Sequence, residues 1–549
     1  MNWSLAFLAA GSVGLGATAG RRRLLLSQAK HPSLAGHSKW SRRIARLIPA
    51  VEYDRDRLFR CDGAPDDIVV KREQGFDRLA ALFAARFPKG RALTAETRTG
   101  LSDLQFTGSY RVPFQFARMV REHLAVSAFV ETSAGVTVTD LDGNDFYDLT
   151  GSYGVNLLGY DAYKTMIADA VTQVRDLGPV LGALHPIVAD NVARLRALTG
   201  LDEVSFHMSG TEAVMQAVRL ARYHTRRSHV VRFCGAYHGW WGDVQPGIGN
   251  PVSADRTFTL AEMSEKALRT LATRRDIACV LINPLQSLHP NAAAPSDNTL
   301  VDGSRNAGFD RAAYAEWLAR LADVCRDRGI VLILDDVFTG FRLARGGAAE
   351  YFGIRPDMVT YGKTLGGGLP IGVLVGKAAL MKRFRDDRPV DICFARGTFN
   401  AHPYVMATTN AFLRTLDLPE TQALYAGLDE LWSGRAARMN ASLEAAGVPV
   451  RVANLSSIWT VLYTAPSRFN WMLQYYLREE GLLLSWVGTG RIIFSLNYTD
   501  ADFDQVVDRF TRAALRMAAN GWWWHAPDAT NKAVRRGILR ELIARRLGR

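Results

Sequence analysis

The pattern of apolar and polar positions divides the chain into regions of different structure. From about residue 185 to 400, helix-like stretches alternate with short apolar runs: VVRFC (230–234), ACVLIN (278–283), IVLILDD (330–336), MVTYG (358–362) and IGVLVG (371–376). Such alternation predicts an α/β domain with a mostly parallel sheet covered by helices. Residues 136–149, VTVTDLDGNDFYDL, instead alternate apolar and polar positions around Asp142-Gly143 and predict a β-hairpin.

The flanking regions are expected to form separate segments. Residues 25–105 are helix-prone and lack a chemical motif, whereas residues 451–500 return to strands followed by a helix. We therefore predict a membrane helix (1–20), a basic linker and helical extension (21–105), the first part of a smaller α+β domain (106–180), a large domain (181–400), the rest of the small domain (401–520) and a Trp-rich basic amphipathic tail (521–549).

The N-terminal segment has the length and polarity of a membrane span. Residues 1–20 carry no charge and are followed at once by Arg21-Arg22-Arg23. At a rise of about 1.5 Å per residue, a helix of this length just crosses a bilayer. Basic residues after the apolar run place the rest of the chain at the cytoplasmic face of that membrane. A terminus that is unstructured or buried against the protein is the alternative.

The C-terminal tail combines tryptophans with a basic helical pattern. Trp522, Trp523 and Trp524 precede a stretch in which Val534, Ile538, Leu542 and Ile543 recur at helical spacing among arginines. Interfacial tryptophans and basic amphipathic helices favour anionic membrane surfaces. Packing of the tryptophans against the protein is an equally good interpretation.

The net charge of +13 is concentrated at the two ends of the chain. Residues 21–60 carry +8 and residues 532–549 carry +6, so the rest is nearly neutral. A nucleic-acid binder spreads basic charge over its working surface, and we therefore expect no nucleic-acid partner. Five scattered cysteines without a CxxC pair indicate neither a disulfide framework nor a metal site.

Two predicted strands end in residues that could carry chemistry. Asp335 and Asp336 close the run 330–336, and open α/β sheets place ligands at the carboxyl ends of their strands. Lys363 follows the run 358–362 and precedes a glycine-rich turn, and burial or a neighbouring cation can make such a lysine available for an imine. Taken alone, an exposed acid pair and a solvated loop lysine remain the alternatives.

Two further motifs could hold a phosphate and an aromatic ring. Ser209-Gly210-Thr211 leads directly into an amphipathic helix, whose free amides and dipole favour a phosphate. An ordinary N-cap formed by Ser209 or Thr211 is the alternative. The segment GAYHGWW, residues 235–241, follows a strand and offers aromatic faces, with a buried aromatic cluster as its alternative.

In this order, the motifs resemble the class III pyridoxal-phosphate aminotransferases of fold type I, in particular the glutamate-1-semialdehyde aminomutase-like branch. The resemblance covers roughly residues 106–515. It rests on DLDGNDFYDLTGSYGVNLLGY (140–160), MSGTEAVMQAVRLAR (208–222), AYHG (236–239), LDDVFTGFR (334–342), FGIRPDMVTYGKTLGGGLPIGVLVGK (352–377) and RGTF (396–399). It implies a mostly parallel central sheet in a large domain that binds pyridoxal 5′-phosphate (PLP), and a smaller α+β domain.

The resemblance also implies a role for each motif. Lys363 matches the Schiff-base lysine, which also moves a proton between substrate and cofactor, and Asp335 matches the acid that pairs with the pyridinium nitrogen. Thr398 matches a phosphate ligand that the family donates from the neighbouring subunit, which implies a homodimer with shared active sites. The other implied cofactor-binding residues are Ser209, Gly210, Thr211, Tyr237, His238, Gln286 and Val337.

Departures from the family pattern concern the substrate. Asp335-Asp336-Val337 replaces the usual Asp-Glu-Val, Asn283-Pro284 replaces Glu-Pro, and Asn-Ala-His-Pro at 400–403 replaces Ser-Gly-Asn-Pro. These positions lie where substrate or partner contacts are expected, so glutamate-1-semialdehyde does not transfer as the substrate. Arg342 and Arg491 are candidates for binding a substrate carboxylate, with surface ion pairing as the alternative.

Three hypotheses follow for the function. The first is a membrane-associated PLP-dependent aminotransferase that moves an amino group from a donor to an aldehyde or ketone, with a small-molecule, lipid-like or carrier-bound carbonyl as acceptor. The second is an intramolecular aminomutase of the glutamate-1-semialdehyde type. The third is a catalytically inactive scaffold that keeps the fold.

Overall fold

The computed structural model describes residues 20–252, 255–288, 291, 310–485 and 490–548, and these form two compact units. The first unit takes in the described residues up to 45, from 170 to 293 and from 310 to 416. The second takes in residues 46–169 and those from 417 onward. The predicted domain boundaries themselves stay a prediction.

Fourteen strands in the described residues form three sheets. In chain order they are β1 (Val130–Ala134), β2 (Thr137–Asp140), β3 (Asp145–Asp148), β4 (Glu203–His207), β5 (His229–Phe233), β6 (Thr257–Leu260), β7 (Ile277–Ile282), β8 (Val331–Asp335), β9 (Met358–Gly362), β10 (Gly372–Gly376), β11 (Val450–Leu455), β12 (Ile458–Tyr463), β13 (Leu482–Leu483) and β14 (Arg491–Ile493).

The first unit is built on a seven-stranded sheet in the order β4-β10-β9-β8-β7-β5-β6. Strands β9, β8, β7, β5 and β6 pair in parallel, and β10 pairs antiparallel with both β9 and β4. The predicted α/β fold with a mostly parallel sheet is confirmed. Every residue of β7, β8, β9 and β10 is buried, which explains why the sequence shows these strands as unbroken apolar runs.

Helices cover the sheet and build most of the second unit. The α-helices are Ser38–Ala45, Arg55–Arg60, Asp66–Arg86, Pro88–Arg98, Ser102–Tyr110, Ala117–His123, Gly151–Gly154, Tyr160–Val174, Ile187–Thr199, Gly210–Thr225, Glu265–Thr273, Arg311–Arg328, Ala348–Phe352, Ala378–Met381, Pro403–Thr415, Pro419–Ala423, Leu428–Ala445, Leu473–Glu479, Asp500–Ala519 and Asn531–Arg546. Residues 20–29 are also helical. Short 3₁₀ turns are Leu34–Gly36, Pro284–Leu288, Lys363–Gly366 and Asn470–Met472.

The second unit contains two small sheets, in the orders β1-β2-β3-β13 and β11-β12-β14. Strands β2 and β3 pair antiparallel, and Gly143 in the turn between them has a φ of 79°, which confirms the predicted hairpin. The helical extension contributes to the core of this unit, because Phe76, Leu79 and Phe83 are fully buried.

The N-terminal segment of the first unit adds to the edge of its sheet. The amide of Ala261 donates to the carbonyl of Ala29 at 2.9 Å, and Lys30 forms an antiparallel bridge with Leu260, the last residue of β6. Ala29 is fully buried. Residues 29–30 therefore occupy the position of a further strand beside β6.

The prediction of an N-terminal membrane helix needs correction, and with it the placement at a membrane face. Within the described residues, none of the helices combines the length and the apolar character that a membrane span requires. Residues 1–19 lie outside the described residues, and the helix of residues 20–29 carries three exposed arginines. Charged side chains of this kind are costly within hydrocarbon.

Trp522 and Trp523 of the C-terminal tail are buried in the second unit, and Trp524 is partly buried. Trp522 is fully buried and its indole N–H donates to Tyr476 Oη at 2.8 Å, while that of Trp523 donates to Asn470 Oδ1 at 3.1 Å. Their packing against the protein, rather than against a membrane surface, is the interpretation that holds. The helix Asn531–Arg546, the C-terminal helix below, has no fully buried residue and is anchored through Glu541.

Candidate active site

A buried acid–histidine pair lies at the carboxyl end of β8. Asp335 is 2% exposed, and its Oδ2 lies 2.7 Å from Nδ1 of His238, which is 1% exposed. Its Oδ1 accepts from the amide of Val337 at 3.2 Å and from Thr360 Oγ1 at 3.4 Å. Because an ionised carboxylate only accepts hydrogen bonds, Nδ1 carries the shared proton. Both carboxylate oxygens of Asp335 are thus fixed.

Lys363 follows the neighbouring strand, β9, in an unusual backbone conformation. Its φ is 45°, in the left-handed region, which costs a residue other than glycine about 1–3 kcal/mol. Its Nζ lies 5.3 Å from the centre of the Phe338 ring. Strain of this kind persists only where the surrounding structure enforces it, and it is concentrated at functional sites.

The start of the helix Gly210–Thr225 lies against Val337 and Gly362, which are close in sequence to Asp335 and Lys363. A Cβ on Gly210 would lie 2.6 Å from Cγ1 of Val337, and a Cβ on Gly362 would lie 3.2 Å from that atom and 3.7 Å from Cα of Gly210. Two glycines are therefore needed for the helix start, the end of β9 and Val337 to meet. The structure thus brings together three motifs that are far apart in the sequence.

Ser209 and Thr211 have different surroundings at this helix start. Ser209 is the N-cap, and its side chain accepts from the amide of Glu212 at 3.3 Å, as the N-cap alternative proposed. Helix geometry leaves the amides of Gly210 and Thr211 without partners inside the helix. The Oγ1 of Thr211 would lie 2.6 Å from a Cβ on Gly239, so this hydroxyl borders the turn after His238.

Tyr237 and Gln286 complete the surroundings of His238. The Tyr237 side chain is 57% exposed, and partial burial and the negative charge of Asp335 both raise the pKa of its phenol. Gln286 is buried, and its Nε2 donates to the carbonyl of Gly235 at 2.8 Å. Gln286 therefore holds the turn that presents Tyr237 and His238.

Asp336 is not an exposed strand-end acid but a buried one. Its Oδ1 accepts from Thr339 Oγ1, and its Oδ2 accepts from the amide of Ala348 at 2.8 Å. Burial raises the pKa of this carboxyl to about 7, which the two hydrogen bonds only partly oppose. A Cβ on Gly347 would lie 2.0 Å from Oδ2. The shortened acid at this position therefore fits a closely packed site beside Asp335.

The remaining candidates lie outside this group. Thr398 is exposed and lines a pocket of about 290 Å³ with Ser205, Arg383 and Arg396. Arg342 is fully buried, so the alternative of a surface ion pair does not hold for it, and its role as a carboxylate ligand stays a prediction. Arg491 belongs to β14 of the second unit.

Two side chains near Lys363 were not found by sequence reasoning. Phe338 lies against the Lys363 amino group, and Thr364 Oγ1 is buried with no hydrogen-bond partner among the described residues. Both belong to quoted motifs, LDDVFTGFR and TYGKTLGGG, but position in a motif does not reveal where a side chain points.

The described residues fit a planar, phosphate-bearing cofactor with a basic ring nitrogen. His238 Nε2 and Thr364 Oγ1 are buried polar atoms without partners in the described part of the chain, and the amides of Gly210 and Thr211 can donate hydrogen bonds to a phosphate. Asp335 supplies a fixed buried carboxylate and Lys363 an amine. Fold and site together define the class of α/β enzymes that use PLP.

Comparison with known proteins identifies the family. A family model described as aminotransferase class-III matches residues 118–514. A glutamate-1-semialdehyde 2,1-aminomutase of Nitratidesulfovibrio vulgaris is 36% identical over 397 residues, which cover 69% of this chain and 90% of that protein. The chain belongs to the class III aminotransferases. It is a PLP-dependent transaminase or aminomutase, as the sequence predicted.

Solved structures agree with this assignment. A structure described as a transaminase with PLP bound superposes with a TM-score of 0.59 at 27% identity and covers 72% of this chain and 92% of its own. A glutamate-1-semialdehyde aminomutase of Pseudomonas aeruginosa gives a TM-score of 0.65 at 20% identity, over 82% of this chain and 99% of its own. The second likeness shows the shared fold alone.

Proposed function

We propose that this enzyme transfers an amino group from a donor to an aldehyde or ketone, with Lys363 and Asp335 as its catalytic residues. The observation that carries the proposal is the buried Asp335–His238 pair at the end of β8, beside the strand that leads into Lys363. The earlier inference of a lipid-like or carrier-bound acceptor depended on a membrane location and is not carried forward.

The cofactor, when bound, acts as an electron sink that stabilises negative charge on the substrate carbon. Asp335, held by His238, Val337 and Thr360, presents its carboxylate where a protonated ring nitrogen would be paired. His238 is a positioning residue that acts through Asp335. Nζ of Lys363 would take the proton from the substrate carbon that carries the amino group and would return it to the cofactor.

The other assigned residues bind and orient the cofactor. The amides of Gly210 and Thr211, together with the Thr211 hydroxyl, hold the phosphate at the helix start, while Ser209 caps that helix. Tyr237 and Val337 would hold the cofactor ring between them. Gln286 contributes by fixing the turn that carries Tyr237.

Covalent trapping tests the role of Lys363. Purified enzyme with added PLP is reduced with borohydride, and peptide mass mapping is expected to find the cofactor on Lys363. Lys363→Ala should lose both the label and the transfer of amino groups. Lys377→Ala is the matched control, because Lys377 also follows a strand but pairs with Asp357 at 2.6 Å on the surface. Label on another lysine in the wild type would refute the assignment.

Thr398 is assigned to the active site of a partner subunit in a homodimer. The test mixes Lys363→Ala and Thr398→Ala subunits. If Thr398 acts across the interface, one site of the mixed dimer contains both residues and activity returns. If it acts within its own chain, neither site is complete and activity stays low.

An aminomutase is the second candidate, because the 36% identical relative carries that name. An aminomutase moves the amino group within one substrate molecule, whereas a transaminase passes it to a separate acceptor. Isotope-labelled amino donors distinguish the two. Transfer of the label to an added aldehyde supports the transaminase, and retention within one molecule supports the aminomutase.

A further inference from the structure

A pocket in the second unit is lined by three arginines and by no acidic residue. Arg98, Arg111 and Arg121 border a cavity of about 80 Å³. They come from three successive helices: Arg98 ends Pro88–Arg98, Arg111 follows Ser102–Tyr110, and Arg121 lies in the last turn of Ala117–His123. Helix C-termini favour a cation by less than about 1 kcal/mol each, which offsets only part of the repulsion among three gathered charges.

Among the residues that the structure describes, these three guanidinium groups have no acidic partner. In the part of the chain that the structure describes, none of them forms an ion pair. Arg118, on the same helix as Arg121, instead pairs with Glu52 at 3.5 Å. The Nη1 of Arg111 has only a long hydrogen bond of 3.5 Å to Gln474.

Burial disfavours the charged form of the guanidinium groups around the pocket, and the charge of Asp140 opposes this only in part at Arg478. Burial lowers the pKa of Arg111, and only the hydroxyls of Tyr475 and Tyr153 oppose this. Arg478 is buried beside it, and burial followed by the charge of Arg111 lowers the pKa of Arg478 to about 10. An anion in the pocket would stabilise both guanidinium groups.

Tyr475 provides a neutral hydrogen-bond donor at the same place. It lines the pocket and is 1% exposed, and its hydroxyl has no partner among the described residues. Burial raises the pKa of this phenol, so the hydroxyl keeps its proton at neutral pH. A buried donor without an acceptor is unfavourable, and a bound acceptor would relieve it.

We propose that this pocket binds a small oxyanion, a carboxylate or phosphate group, between Arg98, Arg111 and Arg121. A water needs about 10–15 Å³ of such space, so 80 Å³ admits a group of several heavy atoms. The guanidinium group of an arginine can donate two parallel hydrogen bonds to the oxygens of a carboxylate or a phosphate. Arg98 and Arg111 precede the residues matched by the family model, whereas Arg121 and Tyr475 lie within them. The site depends on none of the active-site assignments.

Calorimetric titration of the PLP-saturated enzyme tests this proposal, since saturation keeps added phosphate out of the cofactor site. Inorganic phosphate and acetate are titrated separately at constant ionic strength. Binding of either one is expected to weaken roughly tenfold or more in Arg98→Gln and in Arg121→Gln, because each substitution removes a charge-assisted hydrogen bond. Arg118→Gln is the matched control and should bind as the wild type does.

Several results would overturn the proposal. These are no binding of either anion by the wild type, undiminished binding in both glutamine variants, or equal weakening in Arg118→Gln. Melting temperatures without anion verify that each variant folds. If the glutamine variants do not fold, Arg121→Lys decides the matter: it keeps the charge but loses the fork, so binding should weaken, and unchanged binding would count against the site.

Discussion

The pairing of His238 with Asp335 allows a quantitative prediction. His238→Ala removes the donor to Asp335 Oδ2 at 2.7 Å and leaves a space where a fully enclosed ring had been. Leaving a buried acceptor without its donor costs about 1–3 kcal/mol of unfolding free energy, and the space left by the ring adds to that cost. His238→Asn keeps a donor amide and part of the volume, so we expect a loss of only about 1–2 kcal/mol.

Cofactor binding should follow the same order. Without His238, Asp335 keeps two hydrogen bonds, both longer than the one lost, so its carboxylate is less well oriented and less well stabilised. A loss of about 1.4 kcal/mol in the contact with the ring nitrogen corresponds to about tenfold weaker PLP binding. The affinity of His238→Ala should therefore fall below that of His238→Asn, which should fall slightly below that of the wild type.

The assay combines urea denaturation of the apoprotein with PLP titration followed by tryptophan fluorescence. Denaturation midpoints are compared among the three proteins, since a chain of two compact units need not unfold in one step. Equal losses of stability and of PLP affinity in the alanine and asparagine variants would show that the hydrogen bond contributes nothing beyond the volume of the ring.

Three further predictions concern charge and packing. Burial raises the pKa of Asp336 in the folded state to about 7, so the contribution of this carboxyl to stability falls as pH rises from about 4 to 7. Asp336→Asn should therefore flatten the dependence of melting temperature on pH over this range. An unchanged slope would contradict this expectation. Burial opposes ionisation of Glu541, but the hydrogen bonds from Arg468 and Tyr53 and the charges of Arg468 and Arg57 together outweigh it and lower the pKa of this carboxyl. The contribution of Glu541 to stability is therefore present at neutral pH and lost in acid. Glu541→Gln should therefore speed tryptic cleavage within the C-terminal helix at neutral pH, and equal cleavage rates would refute the anchoring role. Gly210→Ala should lower the unfolding free energy by about 1–3 kcal/mol, because the added methyl group would contact Val337. Adding Val337→Ala should recover part of this loss in a double-mutant cycle, and strictly additive losses would exclude the contact.

Five of the seven described strands of the first unit, β5, β7, β8, β9 and β10, could be predicted to within about a residue, whereas β4 and β6 were not predicted. Strand β9 was predicted as 358–362 and is observed as Met358–Gly362, since a strand buried on both faces is apolar throughout. The position of Trp522 could not be predicted in this way. It is buried because its ring lies near those of Phe59 and Phe469, and nothing local to Trp522 reveals these partners.

In the candidate site too, the sequence predicts the residue types, whereas their contacts depend on tertiary packing. The motifs around Asp335 and Lys363 indicated which chemical groups are present, since residue types and strand ends can be read from sequence. The meeting of Gly210, Val337 and Gly362 depends on tertiary packing, and so does the hydrogen bond between His238 and Asp335. The exposed position of Thr398 is likewise a property of the fold, and its assignment to a partner subunit stays a prediction.

The segment beside β6 has a consequence for how the sheet meets its surroundings. An exposed edge strand offers unpaired amides and carbonyls to any other extended chain and is a template for aggregation. Here the chain supplies its own neighbour, because Ala29 and Lys30 bond to the backbone at Leu260 and Ala261. The N-terminal region thus covers the end of this edge, and a version shortened past residue 30 is expected to leave it open to pairing with another extended chain.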